Sequence, residues 1–329
     1  MTLPRIVTVT VNPTVDIACD AACVRPIHKL RTSNEMQDPG GGGVNVARVI
    51  HELGGDVLAV FLAGGFPGQF LTQLLEEEHV PMQALPIQGG TRISYTVNDL
   101  SCRQEFRFVA RGPEVSSGEW QAVLDAVAQS GSGWVVGSGS LAPGMPEDFY
   151  ARMAEICRRQ GRPFVLDTSG PALRAALGRG LALVKPSLGE FEGLAGRPLR
   201  HPDALAEAAL ELVRSGAAER VAVTCGRDGA LLAGRDGVCR RAPVAVEARS
   251  AVGAGDSFTG AMVLALARGA SDEDAFAWGM AAGAAAVMNT GTAHPLRADV
   301  ERLRQTEPGA ERLAPPPEAG PAGISPAAA

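Results

Sequence analysis

Lysine is almost missing from this chain: of its 30 basic residues only Lys29 and Lys185 are lysine, the rest being arginine. A compact ammonium and a planar guanidinium are not interchangeable, so the two lysines are candidates for presenting a point charge to a phosphate, or else incidental surface residues. A basic excess is also lacking, since the formal charge is −6, and this disfavours nucleic acid as a partner. No apolar run has the length of a membrane span, and no leader-like segment precedes the first strand-like one. A cytoplasmic protein with small-molecule partners is expected. The six cysteines (19, 23, 102, 157, 225 and 239) form no C-x-x-C pair and read as free thiols, not as disulfides or zinc ligands. With no Walker G-x-x-x-x-G-K-[ST] loop in the chain, any nucleotide site must be of another kind.

What is present is an alternation. Short apolar runs at 5–11, 57–63, 134–137, 163–167, 181–185 and 220–224 are separated by helix-compatible stretches at 67–79, 116–130, 146–160 and 201–215. This predicts a series of βαβ units, hence an α/β fold with a mostly parallel sheet flanked by helices. Two β-rich runs at 92–97 and 105–109, together with the polar stretch 17–38, interrupt the series. They predict a small antiparallel sheet, a lid with its strands within about 17–38 and 91–110. One domain over 1–306 is expected, and a Pro/Ala-rich tail, 307–329, expected to be disordered.

The most informative stretch is 250–260, Ser-Ala-Val-Gly-Ala-Gly-Asp-Ser-Phe-Thr-Gly, which runs into a strongly helix-compatible segment. Glycines let the backbone approach an anion closely, and the helix adds its first amides and the positive end of its dipole. Gly253, Ala254 and Gly255 thus read as an anion cradle, and Asp256 as a carboxylate that could accept a hydroxyl proton. A plain strand-to-helix turn capped by Asp256 explains the same residues. Four glycines at 40–43 open a second helix, carrying Asn45, and suggest a close backbone approach to a ligand. Asp16, at the exit of the first strand, could bind sugar hydroxyls or cap a turn. Arg92 and Arg107 on the lid could hold a phosphorylated substrate or be edge charges. Asp167, Lys185 and Glu190 follow strand ends, where they could hold Mg²⁺ through carboxylates or water. The small-residue helix at 276–289 could pack against adenine or against another helix.

These residues resemble the ribokinase-like, or PfkB, carbohydrate kinases over roughly 5–300. The likeness is carried by both glycine-rich segments and by 9–16, 106–109, 138–144 and 184–186. Within the family it points to the sugar-phosphate kinases, above all those acting on fructose 6-phosphate. The resemblance implies a ribokinase-like three-layer fold and Mg²⁺-dependent transfer of the γ-phosphate of ATP to the 1-hydroxyl of fructose 6-phosphate. It assigns Asp256 as base and the amides of Gly253, Ala254, Gly255 and Asp256 as the hole for the transferring phosphoryl group. It puts Asp16, Gly41 and Asn45 on the sugar, and Lys29, Arg92, Arg107 and nearby Ser140 on its phosphate. Lys185, Ser187 and Glu190 would lie at the nucleotide phosphates and the metal, Thr224, Gly226 and Gly229 at ATP, and Asn289 near adenine. A homodimer paired through the lid is implied as well.

Two positions depart from the pattern. Ser187 stands where the Asn-x-x-Glu metal segment has Asn. Gly42 stands where the 1-phosphofructokinase and tagatose-6-phosphate kinase relatives usually carry Lys, which favours fructose 6-phosphate over those alternatives. An idle sugar-phosphate sensor is the alternative of another class, and the presence of Asp256 argues against it, since binding alone needs no base.

Overall fold

The apolar runs form strands buried on both faces, which is why they read as continuous hydrophobic stretches and not as alternating ones. The computed structural model describes residues 4–131, 133–289, 294–306 and 309–313. In chain order the strands are β1 (Ile6–Thr10), β2 (Thr14–Ala21), β3 (Thr32–Gly40), β4 (Val57–Ala63), β5 (Met82–Pro86), β6 (Arg92–Asp99) and β7 (Gln104–Val109). They continue with β8 (Trp134–Ser138), β9 (Phe164–Asp167), β10 (Leu181–Val184), β11 (Val221–Thr224), β12 (Ala230–Gly234), β13 (Gly237–Arg241) and β14 (Glu311–Leu313). The helices are α1 (Gly42–Glu52), α2 (Gly65–Glu77), α3 (Ser117–Gln129), α4 (Phe149–Arg159) and α5 (Gly170–Ala176), then α6 (Leu188–Ala195), α7 (Pro202–Arg214), α8 (Ala254–Ala267), α9 (Asp272–Ala286) and α10 (Arg297–Thr306).

Ten strands make the main sheet, in the order β14-β13-β12-β11-β10-β9-β8-β1-β4-β5. It is parallel from β5 to β11 and antiparallel from β11 to β14. Alternate residues feed opposite layers. Val7, Val9, Val135 and Leu166 join the core under α3, α4, α5 and α7, while Ile6, Val136 and Val165 join the core under α1, α2, α8, α9 and α10. The chain leaves β1 towards β4 on one side and returns to β8 on the other, so the strand order switches between β1 and β8. Ligands of open α/β sheets bind in the crevice beyond the strand ends at such a switch.

The remaining strands form a separate sheet in the order β3-β2-β6-β7, whose outer pairs are antiparallel and whose central pair, β2 with β6, runs parallel. Part of the segment expected as a tail is ordered, since Glu311–Leu313 pairs with β13 as its edge strand. The remainder, 314–329, lies outside the described residues. Among the described residues no helix is long and apolar enough to cross a membrane.

Candidate active site

Helix α8 is buried from Ser257 to Leu266 on all sides, between α1 and α9. Its close packing has a specific cause: a Cβ at Gly260 would lie 3.1 Å from Val46 O and 3.1 Å from Val49 Cβ. Glycine lets α8 come that near to α1 without crowding it. One turn earlier, the same approach brings Asn45 Nδ2 to within 2.8 Å of Asp256 Oδ2, to which it donates. The two glycine-rich segments, some two hundred residues apart in sequence, thus meet at one carboxylate. Across the sheet end, Lys185 Nζ lies 3.2 Å from Asp167 Oδ1, and Thr259 donates to Asp167 Oδ2 at 3.2 Å. Lys185 is buried against the cradle itself, where a Cβ on Gly255 would be 3.2 Å from its Nζ.

Charge crowding sets the protonation of this cluster. Burial, the Asp167 and Asp16 carboxylates, and the opposing pull of Asn45 and Lys185 leave Asp256 pushed up to about 7 from its ordinary 3.8. Burial also works against a charge on Lys185, but Asp167 and Asp256 outweigh it and hold the ammonium above the usual lysine range. A carboxylate pushed up towards neutrality beside a buried ammonium and a glycine-rich helix start suits a general base.

The other side of the cleft is the lid. Register pairs Thr14 with Arg92, and joins Ala18 to Arg107 through Thr96, so Asp16, Arg92 and Arg107 share a face. Burial pushes Asp16 up to about 6, against the pull of the Arg107 and Arg92 guanidiniums and the Thr14 hydroxyl. Arg92 is partly committed already, donating to Asn12 O at 2.8 Å and Ala110 O at 2.9 Å, while its buried Nε has no partner among the described residues. Arg107 is half exposed. Lys29 lies exposed on the connection from β2 to β3, beyond the Ala21 end of β2. The opposite face of the lid is apolar, with Tyr95 and Phe108 paired across β6 and β7 and 45% and 58% exposed.

The remaining expected residues fall around the cleft with other partners than the sequence suggests. The 40–43 glycines are required first by the protein's own packing: a Cβ at Gly42 would lie 2.2 Å from Ser138 Oγ, and one at Gly43 2.5 Å from Val9 O. Gly41, whose φ is 108°, is the N-cap of α1, and Ser140 accepts a long 3.4 Å bond from Asn12 Nδ2. Ser187 caps α6 in a capping box, its backbone N–H donating to Glu190 Oε2 at 2.8 Å. Asp167 is engaged by Lys185 and Thr259, and among the described residues no group of three potential ligands converges on a metal position. Thr224 donates its N–H to Pro186 O at 3.2 Å, which sets the ends of β10 and β11 side by side. The backbone opens at Gly226, whereas Gly229 is packed against Arg241 O. Asn289 donates to His294 O at 3.3 Å. The small-residue face of α9 serves helix packing, with Gly279 against Phe258 and Gly283 against Ala254 O.

Sequence reasoning missed Thr259 and Arg48. Thr259 lies three residues after Asp256, and Arg48 three after Asn45, so an i,i+3 reading of each helix face is the signal that finds them. The fully buried Arg48 holds the glycine-rich loop, donating to Pro39 O at 3.2 Å and to Glu78 Oε2 at 2.7 Å.

With this geometry in view, similarity to known proteins is informative. The chain is 44% identical over 303 residues to the ATP-dependent 6-phosphofructokinase isozyme 2 of Mycobacterium tuberculosis, covering 91% of this chain and 89% of that one. It is 40% identical over 290 residues to the Escherichia coli isozyme 2, covering 88% and 94%. The crystal structure of Escherichia coli phosphofructokinase-2 in complex with fructose-6-phosphate superposes with a TM-score of 0.87 at 37% identity, covering 92% of this chain and 99% of that one. The three-layer fold with its separate small sheet is therefore the ribokinase-like one. The family model described as pfkB family carbohydrate kinase matches residues 10–299, and the chain belongs to that family.

Proposed function

We propose that this chain is an ATP-dependent 6-phosphofructokinase, forming fructose 1,6-bisphosphate and ADP. The observation that carries the reading is Asp256: a carboxylate pushed up to about 7 in the first turn of the cradle helix, oriented by Asn45, and facing a lid that carries Asp16, Arg92 and Arg107. A base with that poise has no purpose in a mere sensor. Asp256 takes the proton of the 1-hydroxyl as its oxygen bonds to the γ-phosphorus and the bond to the β-phosphate oxygen breaks. Lys185 and the amides at 253–256 offset the charge that develops on the transferring group. Asn45 Oδ1, buried and without a partner among the described residues, is an acceptor suited to a sugar hydroxyl, and Asp16 and the Gly41 backbone would hold the sugar with it. Arg107 and Arg92, near Ser140, hold the 6-phosphate. Thr224, Gly226 and Gly229, after β11, and Ser187, the cap of α6, would meet the nucleotide, and Asn289, after α9, its base.

The donor set suits Mg²⁺ held mainly by water and phosphate, the mode that ion favours. Glu190 and Asp167 would hold it, and it would offset charge on the phosphates of ATP. A side chain at 42 would run into Ser138, so the site takes the sugar phosphate with bare backbone there, in keeping with fructose 6-phosphate. The apolar outer face of the lid, with Tyr95 and Phe108, supports a homodimer paired lid to lid, and Lys29 at the lid tip would then act across that interface. The test is ATP-dependent ADP release with fructose 6-phosphate, fructose 1-phosphate, tagatose 6-phosphate and fructose side by side. A clear kcat/KM preference for fructose 6-phosphate supports the reading. Preference for another sugar phosphate moves the substrate, and no turnover with any of them removes the assignment.

A further inference from the structure

A hydrogen bond joins the lid to the cradle that the chemistry above does not use. Buried Ser250 donates its hydroxyl to Glu105 Oε2 at 3.3 Å, and its Oγ accepts the Val252 N–H at 3.2 Å. Glu105 lies two residues before Arg107 on β7 and so on the same face, with Oε1 3.9 Å from Arg107 Nε. Arg107 is in turn the cation that most lowers Asp16. One carboxylate therefore has one oxygen on the nucleotide side of the cleft and the other on the sugar-phosphate side.

Both contacts are loose. A distance of 3.3 Å is long for O–H···O, as catalytic-site bonds are before ligands close them, and a half-exposed ion pair at 3.9 Å is weak. A phosphate dianion offers Arg107 a bidentate, charge-assisted partner that a single carboxylate at that distance does not match. Once Arg107 turns to the phosphate, Glu105 keeps Ser250 as its remaining partner, and Ser250 holds the amide of Val252 next to Gly253, the N-cap of α8.

We infer that Glu105 is a positioning residue that couples the two substrate sites: phosphate on Arg107 releases Glu105 to Ser250, and the tightened bond fixes the 250–253 lip of the cradle. The inference rests on the substrate assignment proposed above. Because coupling between sites is reciprocal, each ligand should tighten the other by the same factor.

The test is isothermal titration of fructose 6-phosphate with and without a non-hydrolysable ATP analogue and Mg²⁺, for the wild type, Glu105→Gln, Ser250→Ala, the double variant and Glu105→Asp. In the wild type the analogue should tighten the sugar phosphate by about tenfold. Glu105→Gln and Ser250→Ala should each bring the factor to within about twofold of unity, the double variant should lose no more than either, and Glu105→Asp should restore part of it. Fructose 6-phosphate alone should bind Glu105→Gln roughly two- to fivefold tighter, because Arg107 loses a competitor. No coupling in the wild type, coupling unchanged in Glu105→Gln, or additive losses in the double variant would each overturn the inference while leaving the proposed function standing. If the wild type binds neither ligand, it is the proposed function that fails, and this inference with it.

Discussion

On the α8 side of the cleft the charged groups already have partners in the protein: Asp256 has Asn45, and Asp167 has Lys185 and Thr259. On the lid side Arg107 is half exposed with the Glu105 carboxylate 3.9 Å away, Arg92 keeps a buried Nε unpartnered among the described residues, and the outer face shows Tyr95 and Phe108 to solvent. The first region is set before a ligand arrives, as electrostatic stabilisation of a reacting group requires, because dipoles that must reorganise during the reaction forfeit their benefit. The second is left for a ligand or a second subunit to complete. Under the proposed function the contrast is a division of labour, with turnover assigned to the sheet end and affinity and assembly to the lid.

The strongest test of that division is Asp256→Asn. Turnover should fall by about 10³-fold, in the range of a lost general base, while fructose 6-phosphate binding measured directly stays within a few fold. A variant that keeps its turnover removes Asp256 as base. In the wild type the acid limb of kcat/KM should break near pH 7, where Asp256 titrates in the free enzyme. The stability consequence has the opposite sense from that of an ordinary carboxylate. With its pKa raised from 3.8 to about 7, Asp256 favours folding fully below pH 4 and loses that contribution as pH rises to 7. Thermal melts should therefore show Asp256→Asn gaining stability over the wild type at pH 8 and no gain near pH 4.

Next in size is Lys185→Met, which leaves Asp167 without its cation. Denaturant unfolding should register a loss of about 3 kcal/mol, the cost of an uncompensated buried charge, alongside loss of activity. Arg107→Ala should raise the KM for fructose 6-phosphate by roughly tenfold with kcat little changed, a charged hydrogen bond being worth about 1.5 kcal/mol or more. An effect mainly on kcat would break the comparison between the two sides. The smallest effect on the single subunit is expected from Phe108→Glu on the outer lid face. Sedimentation should show a shift to monomer, with a melting temperature within a few degrees of a monomeric reference.

Strands β1, β4, β8, β9, β10 and β11 of the main sheet were legible because burial on both faces makes them short continuous apolar runs, and each appears within a residue or two of its expected bounds, as with 57–63 and β4, whereas β5, β12, β13 and β14 were not foreseen. The cradle was legible for a similar local reason: Gly253, Gly255 and Asp256 act at the start of their own helix. Strand-end position alone could not reveal the partners that the residues proposed for the metal have within the protein, Lys185 and Thr259 for Asp167 and a capping box on Ser187 for Glu190. The glycine run at 40–43 announced a close approach without naming the partner, and much of what it approaches is the protein's own backbone and Ser138.

By itself the sequence determined the α/β alternation, the two glycine-rich helix starts and the place in the first turn of α8 of the carboxylate proposed as base, because these depend on periodicity and on backbone freedom within a few residues. Tertiary structure alone decided that Asn45 orients Asp256, that Gly260 admits α8 to α1, and that Lys185 settles against Gly255. Those outcomes turn on side chains far apart in the chain competing for the same buried partners, and only the packed fold brings the competitors within reach of one another.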